Sequence, residues 1–145
     1  MTLGKIASVA AADECKLALS FDDGLEAIID LSGIIQKHAG LAALAHSTNF
    51  RRVRLSDDGW SLEWPDVEVD FGAPQLRRWA DEQAGRTMSA DSFREWMQRS
   101  QLTLDRAAEE LGLSRRTIAY YLSGEQPIPR TVMLATEGLA ARQLA

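Results

Sequence analysis

The sequence predicts an α+β protein, with a small antiparallel sheet in its first part and an all-α last part. Three observations predict this class. Short runs of alternating apolar and polar residues, separated by Asp-Asp-Gly turns, are typical of paired strands. From Pro74 the apolar residues recur at helical spacing, and from Ala90 onward no strand pattern remains. A polar connector at residues 85–92 separates the two parts, so we expect domains at residues 1–88 and 89–145.

The first predicted element is a hairpin. Residues 15–21 alternate apolar and polar side chains, and residues 25–30 return after an Asp-Asp-Gly turn, because Asp-Gly accepts the positive φ of a tight turn. A strand near residues 5–10 is expected to join this pair. Residues 32–46 then indicate one or two short helical pieces that glycines interrupt.

A second set of strands is predicted around the next Asp-Asp-Gly turn. After that turn, Trp60, Leu62 and Trp64 alternate with polar residues and predict one apolar face of a strand. Pro65 ends this strand, and residues 66–71 predict another short one. The four tryptophans of the chain allow two interpretations, core packing or an exposed apolar groove for a ligand or a partner protein.

Five helices are predicted in the rest of the chain. The first two cover residues 74–85 and 92–101, and Ser89 or Asp91 is the candidate N-cap of the second. The core side of the last helix, residues 130–144, is expected to consist of Val132, Met133, Ala135 and Leu139.

The two remaining helices are joined through the pattern Ala-x-x-Leu-Gly-Leu-Ser. The first covers residues 104–111 with Thr103 as its cap, and the second begins after Ser114 and ends at Gly124. Gly112 permits the turn between them. Small residues at the helix crossing, a glycine turn and a capped second helix together predict a helix-turn-helix.

The second helix of this pair is expected to present polar side chains outward, since successive residues turn by about 100° around a helix. The residues expected inside are Ile118, Tyr121 and Leu122. The residues expected outside are Arg115, Arg116, Ala119 and Tyr120.

The charge of the chain is unevenly distributed. The net charge is -5, and residues 1–88 hold 14 Asp and Glu against 9 Lys and Arg, whereas residues 89–145 hold 7 of each. Neither part is the broad basic surface that binds any nucleic acid by counterion release. If the last part binds DNA, a few focused arginines must do so.

The composition points to a protein of the cytoplasm. Cys15 is the single cysteine, so no internal disulfide can form and a reducing compartment fits. No apolar run approaches the roughly 20 residues that cross a bilayer. The first residues lack the pattern of a signal peptide.

No enzyme chemistry is predicted. His38 and His46 are the only histidines, and no Cys or His cluster completes a metal site around them. The paired aspartates lie in turns, where Asp supports the backbone. A Gly-rich phosphate loop and a nucleophile elbow are both missing from the sequence, so we expect no cofactor and no catalytic activity.

Residues 92–140, which contain "LTLDRAAEELGLSRRTIAYYLSG", resemble the Cro/C1-type, lambda-repressor-like helix-turn-helix family. The resemblance implies that the helix after Ser114 enters the major groove of DNA. It places Arg115, Arg116 and Tyr120 at base-reading positions and sets Thr117 and Ser123 beside the DNA backbone. It also makes Arg130 a loop arginine that grips phosphate. The DNA-contacting residues expected from this match are Thr103, Ser114, Arg115, Arg116, Thr117, Tyr120, Ser123 and Arg130.

The sequence departs from that family in the helix before the turn. Leu104 stands where the family often has a glutamine that contacts phosphate and braces the reading helix. Glu109 and Glu110 lie on the same helix and would lower the local positive potential if they faced DNA.

The first part, through "LALSFDDGLEAIIDLS" and "RRVRLSDDGWSLEWPDVEVD", resembles the DUF2442 family of small bacterial proteins over roughly residues 5–75. That family implies no enzymatic chemistry. Some members occur beside small toxin-like partners, so the resemblance also allows an antitoxin.

Together the two resemblances imply sequence-specific binding of double-stranded DNA by a repressor-like transcriptional regulator. Proteins of this kind usually act as homodimers, so a homodimer is expected. The alternative is a protein-interaction module, such as the antitoxin of a toxin–antitoxin pair with a small toxin-like partner. No membrane partner is expected.

Overall fold

The computed structural model of the protein describes residues 4–144, so residues 1–3 and 145 of the expected domains lie outside the described residues. The chain forms two compact units that divide between Gln83 and Ala84. The boundary expected between residues 88 and 89 lies later in the chain. The division falls earlier because a strand of the second unit already begins at Thr87.

The first unit begins with a three-stranded antiparallel meander. Its strands are β1 (Ile6–Ala12), β2 (Lys16–Phe21) and β3 (Glu26–Asp30), in the order β1-β2-β3. The predicted hairpin and the strand before it are therefore confirmed. The alternation in β2 buries Leu17 and Leu19 in the core and directs the side chain between them to the other face.

Short helices follow the meander. They are α1 (Ser32–Lys37), a 3-10 helix (Ala39–Ala45) and α2 (Ser47–Phe50). The first two confirm the prediction of one or two short helical pieces at residues 32–46 and show that there are two. α2 lies in a stretch for which the sequence predicts no helix, and it buries Phe50.

A second antiparallel sheet completes the strands of this unit. It consists of β4 (Arg54–Leu55), β5 (Ser61–Trp64) and β6 (Val69–Gly72), in the order β4-β5-β6. The strand predicted at residues 66–71 begins later than expected, because residues Pro65–Val67 form a 3-10 turn in which the proline fixes φ.

The expected apolar side of β5 is only partly correct. Leu62 and Trp64 are buried, and the indole N–H of Trp64 donates to the Phe50 carbonyl at 2.9 Å. Trp60, in contrast, is 36% exposed. It precedes β5 and lies in the turn, where the Lys5 ammonium stands 5.7 Å from the centre of its ring. Of the two interpretations of the tryptophans, core packing therefore does not hold for Trp60.

The helix α3 (Ala73–Gln83) confirms the helix predicted at residues 74–85. It buries Leu76 in the core that the two sheets share. Arg77 of α3 forms an ion pair with Asp23 at 2.8 Å, and the hydrogen bond from Arg77 lowers the pKa of that carboxyl. The first Asp-Asp-Gly turn is thus held by α3.

The second unit contains a short antiparallel strand pair that the sequence does not predict. It pairs β7 (Thr87–Met88) with β8 (Ile128–Pro129). The expectation that no strand follows Ala90 is therefore wrong. Two-residue strands are too short to show periodicity, and a proline lowers the strand signal further.

Four helices form the rest of the second unit: α4 (Ala90–Arg99), α5 (Leu104–Leu111), α6 (Arg115–Ser123) and α7 (Arg130–Leu144). All four helices predicted for this region are confirmed. Of the two candidate caps of α4, Ser89 is the N-cap, because its hydroxyl accepts from the Ser92 N–H at 3.0 Å.

The core of this unit contains Phe93, Trp96, Ala107, Ile118, Tyr121, Ile128 and Val132. Burial raises the pKa of the Tyr121 phenol. On α7 the expectation for Ala135 is wrong, since that residue is exposed. The core face of α7 instead passes through Val132 and Thr136, which are one helical turn apart. The Thr136 hydroxyl satisfies its hydrogen bond within α7 by donating to the Met133 carbonyl at 2.7 Å.

Candidate nucleic-acid interface

α5 and α6 are joined by a tight turn that local chemistry fixes at both ends. The Thr103 hydroxyl caps α5 by accepting from the Arg106 N–H at 3.2 Å. Gly112 follows the last residue of α5 as its C-cap, and its φ of 69° is in the left-handed region that glycine adopts without strain. The Leu113 N–H then donates to the Ala108 carbonyl at 3.0 Å and closes the end of the helix.

α6 starts directly after this turn. The Ser114 hydroxyl accepts from the Thr117 N–H at 3.1 Å, and it lies 2.9 Å from the Thr117 hydroxyl. Arg115 and Arg116, the first two residues of the helix, are exposed. The start of α6 thus combines two guanidinium groups with a helix N-terminus, where the helix dipole favours anions.

Arg116 and Tyr120 form a stacked pair on the outer face of α6. They are four residues apart, so they lie above one another on the helix. The Arg116 Nε–H donates to the Tyr120 hydroxyl at 2.7 Å, and the guanidinium carbon lies 5.2 Å from the centre of the phenol ring. This stacking limits the conformations of Arg116 and leaves its terminal nitrogens available.

Arg115 is held by a carboxylate from the preceding helix. Its Nη1 lies 3.5 Å from Oδ1 of Asp105, which belongs to the first turn of α5. Both side chains remain about two-thirds exposed, at 65% and 68%. Sequence spacing does not reveal this pair, because the contact depends on how α5 and α6 cross.

The two glutamates of α5 that would lower the local positive potential face a cation. Arg106 forms ion pairs with Glu109 at 2.9 Å and with Glu110 at 3.4 Å. These pairs follow from the helical spacing of three and four residues and were predictable from the sequence. Leu104, the residue at which the sequence departs from the helix-turn-helix family, is half-buried and packs against the core of the unit.

Two of the expected contact residues lie apart from the start of α6. The Ser123 hydroxyl donates to the Tyr120 carbonyl at 3.2 Å and accepts from the Glu125 N–H at 3.3 Å, so it stabilises the end of the helix. Arg130 is the first residue of α7, and its guanidinium donates to the Gly85 carbonyl at 3.2 Å. Arg130 thus lies at the start of α7, directly after the loop, and its implied contact with phosphate stays a prediction.

Arg94 supports α6 at its other end, a role that the sequence does not reveal. Its Nη2 donates to the Leu122 carbonyl at 3.0 Å, while its Nη1 pairs with Asp91 at 3.1 Å. A cation near the last carbonyls of a helix is favourable because it opposes the dipole. The contact joins residues far apart in the sequence, so no local pattern predicts it.

The charges divide between the two units more sharply than between the expected domains. Residues 1–83 hold 14 Asp and Glu against 8 Lys and Arg, which gives -6, and residues 84–145 hold 7 against 8, which gives +1. The arginines at the start of α6 thus belong to the unit that does not repel a polyanion.

A metal site and a membrane-spanning helix each have requirements that can be checked in residues 4–144. Within this range no three His, Cys, Asp or Glu side chains come together as a metal site requires. None of the described helices is long and apolar enough to cross a membrane.

One solved structure is similar over most of the chain. It is the crystal structure of a Nitrosomonas europaea protein named "Putative DNA Binding Protein", which is 38% identical to this chain with a TM-score of 0.54. The similarity covers 94% of this chain and 86% of that one. A protein of unknown function from Rhodospirillum rubrum is 17% identical over 53% of this chain and 87% of its own. Its TM-score of 0.42 is too low to support an argument.

No curated protein gives a significant match to the chain. Residues 6–82, however, match the family model described as "Protein of unknown function (DUF2442)". The resemblance noted over roughly residues 5–75 is thereby confirmed, and the match extends through almost all of α3. Because the matched residues make up more than half of the sequence, the chain belongs to the DUF2442 family.

Proposed function

We propose that the second unit binds double-stranded DNA through a helix-turn-helix formed by α5 and α6, and that the protein is a sequence-specific, repressor-like transcriptional regulator. The observation that carries the proposal is the exposed start of α6, where Arg115 lies beside the Arg116–Tyr120 stack. The similar protein of Nitrosomonas europaea carries the name "Putative DNA Binding Protein", which also supports DNA binding.

The chemistry of α6 suits the major groove. An arginine guanidinium can donate two parallel hydrogen bonds to O6 and N7 of guanine, which contributes about 1–3 kcal/mol of discrimination. Arg116 is oriented for such a contact by Tyr120, and Arg115 can reach a base or a phosphate once it leaves Asp105. Ser114 and Thr117 present hydroxyls beside them that can donate to phosphate oxygens.

The supporting residues divide into two groups. Thr103 lies at the start of α5 beside the Asp105–Arg115 pair, where its hydroxyl can meet phosphate. Ser123 and Arg130 already bind backbone carbonyls, so in this proposal their main contribution is to hold the ends of α6 and α7. The proposal assigns no catalytic step to either unit.

Selection of bound sites from random duplex DNA tests the proposal. The wild-type protein should enrich a defined motif at moderate salt. The double variant Arg115→Ala/Arg116→Ala should lose that motif, whereas Arg99→Ala, which removes an exposed arginine from the end of α4, should keep it. Absence of any motif for the wild type, or the same motif for the double variant, would show that α6 does not read DNA.

The oligomeric state is a separate part of this proposal. Helix-turn-helix dimers bind half-sites about one helical turn of DNA apart. A homodimer would therefore select a palindromic motif with that spacing. Light scattering that finds only a monomer at high protein concentration, together with a motif that has no repeat, would contradict it.

A further inference from the structure

The outer edge of β6 is open. The Ala73 N–H donates to the Trp60 carbonyl at 2.7 Å, which makes these two residues a hydrogen-bonded pair of the antiparallel ladder. Hydrogen-bonded pairs alternate along such a ladder, so Val69 and Phe71 bond to β5. The backbone N–H and carbonyl of Asp70 then point away from β5. Among residues 4–144 no hydrogen bond covers Asp70 on that side.

The outer strands of the other sheet are each bonded to a neighbouring segment at one end. The Gln83 side-chain amide accepts from the Asp30 N–H and donates to the Asp30 carbonyl, both at 2.8 Å, and so acts as a short strand beside β3. At the start of β1, the Ile6 N–H donates to the Gly59 carbonyl at 2.8 Å. Asp70 thus differs from Asp30 and Ile6, since no such bond is seen beside it among residues 4–144.

An apolar groove of about 690 Å³ lies directly beside the open edge. Its floor is formed by half-buried Ile34, Leu41, Phe71 and Trp79. Unpaired backbone groups beside such a groove can bind an extended chain, because the backbone supplies hydrogen bonds and the groove receives alternate side chains.

The groove is built on a rigid series of aromatic rings. The ring centres of Phe71 and Trp79 are 5.1 Å apart, those of Trp64 and Phe71 are 5.6 Å apart, and those of Phe50 and Trp64 are 5.9 Å apart. Because Trp64 and Phe50 are fully buried, these rings are held in place. An incoming segment would meet a preformed surface and would not have to order it.

Charge indicates the chemistry of the occupant. Glu68 and Asp70 line the β6 side of the groove, both are exposed, and neither forms an ion pair within the described part of the chain. Lys37 and His38 line the opposite wall, but the unit as a whole carries -6. Side chains directly opposite on paired strands interact, so basic residues are favoured next to these carboxylates.

We propose that β6 accepts an extended, basic segment of a partner protein as an additional strand. The segment bonds to the backbone of Asp70 and places alternate apolar side chains in the groove over Phe71 and Trp79. Its basic side chains lie on the other face, beside Asp70. This activity belongs to the first unit and does not depend on DNA binding by the second.

The test measures fluorescence anisotropy of a labelled heptapeptide of alternating lysine and valine, titrated with the full chain. Saturable binding is expected. N-methylation of every second backbone amide of the peptide can be made in two complementary sets. Methylation of the set whose N–H groups face β6 should weaken binding about tenfold or more, whereas methylation of the other set should have little effect. The peptide with its lysines and valines in two separate blocks should also bind at least about tenfold more weakly.

Protein variants provide the matched test. Asp70→Lys should weaken binding of the lysine–valine peptide and favour an alternating glutamate–valine peptide. Asp57→Lys changes the net charge equally, but it lies in the exposed turn before β5 and should leave binding unchanged. Circular dichroism verifies that both variants are folded.

Three results would overturn the proposal: no saturable binding up to about 1 mM protein, equal effects of the two methylated sets, or equal effects of the two variants. Equal effects of the two methylated sets would show that the peptide backbone does not pair with β6, and equal effects of the two variants would show that only the overall charge attracts the peptide. Since the methylated peptides are tested on the wild-type chain, a folding defect cannot produce the expected pattern.

Discussion

Replacement of Asp105 by asparagine removes the carboxylate that holds Arg115, and we expect duplex DNA to bind more tightly as a result. In the protein, Arg115 Nη1 lies 3.5 Å from Asp105 Oδ1. To contact a base or a phosphate, Arg115 must leave this partner. Part of the binding free energy is therefore lost in breaking the ion pair, and Asp105→Asn avoids that loss.

The size of the gain follows from the exposure of the pair. Two unit charges at 3.5 Å attract each other by about 1.2 kcal/mol in water, before salt is considered. Both side chains are about two-thirds exposed, so screening reduces the value to the range of about 0.2–1 kcal/mol measured for surface pairs. The dissociation constant should fall by a factor of about 1.4 to 5.

The assay is fluorescence anisotropy with the duplex that the wild-type protein selects, at two salt concentrations. Glu137→Gln is the control, because it removes one negative charge from an exposed position on α7. Asp105 also lies in the first turn of α5, where an acid stabilises the helix by about 0.3–1 kcal/mol. Binding is therefore measured well below the unfolding temperature of each variant.

Two outcomes would refute this reasoning. Weaker binding by Asp105→Asn would mean that Asp105 positions Arg115 for DNA and does not compete with it. An equal gain for Glu137→Gln would mean that only the total charge matters.

Three further predictions concern stability. Gly112→Ala should lower the free energy of unfolding by about 1–2 kcal/mol, because φ is 69° there while an added Cβ meets no atom within 4 Å; a thermal melt with no loss would contradict this. Trp64→Phe should cost about 2–4 kcal/mol in urea unfolding, because it leaves the buried Phe50 carbonyl without its donor and opens a cavity. Trp60→Phe, at an exposed position, should stay within about 0.5 kcal/mol. Burial raises the pKa of Tyr121. The unfolded chain therefore releases this proton first, and stability should fall as pH rises above about 10. The fall should be smaller in Tyr121→Phe, and equal slopes of unfolding free energy against pH would exclude Tyr121 as a cause.

Features that depend on neighbouring residues were predictable from the sequence. The β2–β3 hairpin follows from alternation and an Asp-Gly turn. The caps Thr103 and Ser114 follow from local hydrogen-bond chemistry, and Gly112 follows from the need for positive φ. The bounds of α5 and α6 are correct for the same reason.

Features that depend on distant residues were not predictable in this way. The pairing of Thr87–Met88 with Ile128–Pro129 joins segments about forty residues apart and too short to show a period. The exposure of Trp60 depends on where β5 begins. In the candidate site, the Asp105–Arg115 pair depends on the crossing of α5 and α6. That the start of α6 reads DNA stays a prediction, as does the antitoxin alternative.

The carboxylates beside β6 also affect how the protein avoids self-association. An exposed strand edge is a template for aggregation, and proteins suppress this by placing charge there. If two copies paired β6 with β6 in antiparallel register around Asp70, that residue would face its own counterpart, and like charges directly opposite are destabilising. The edge is therefore selective: it repels an identical strand while it remains open to a basic one. Solubility and choice of partner would then depend on the same side chain. A variant that neutralises Asp70 should therefore be less soluble and should also lose its preference for a basic segment.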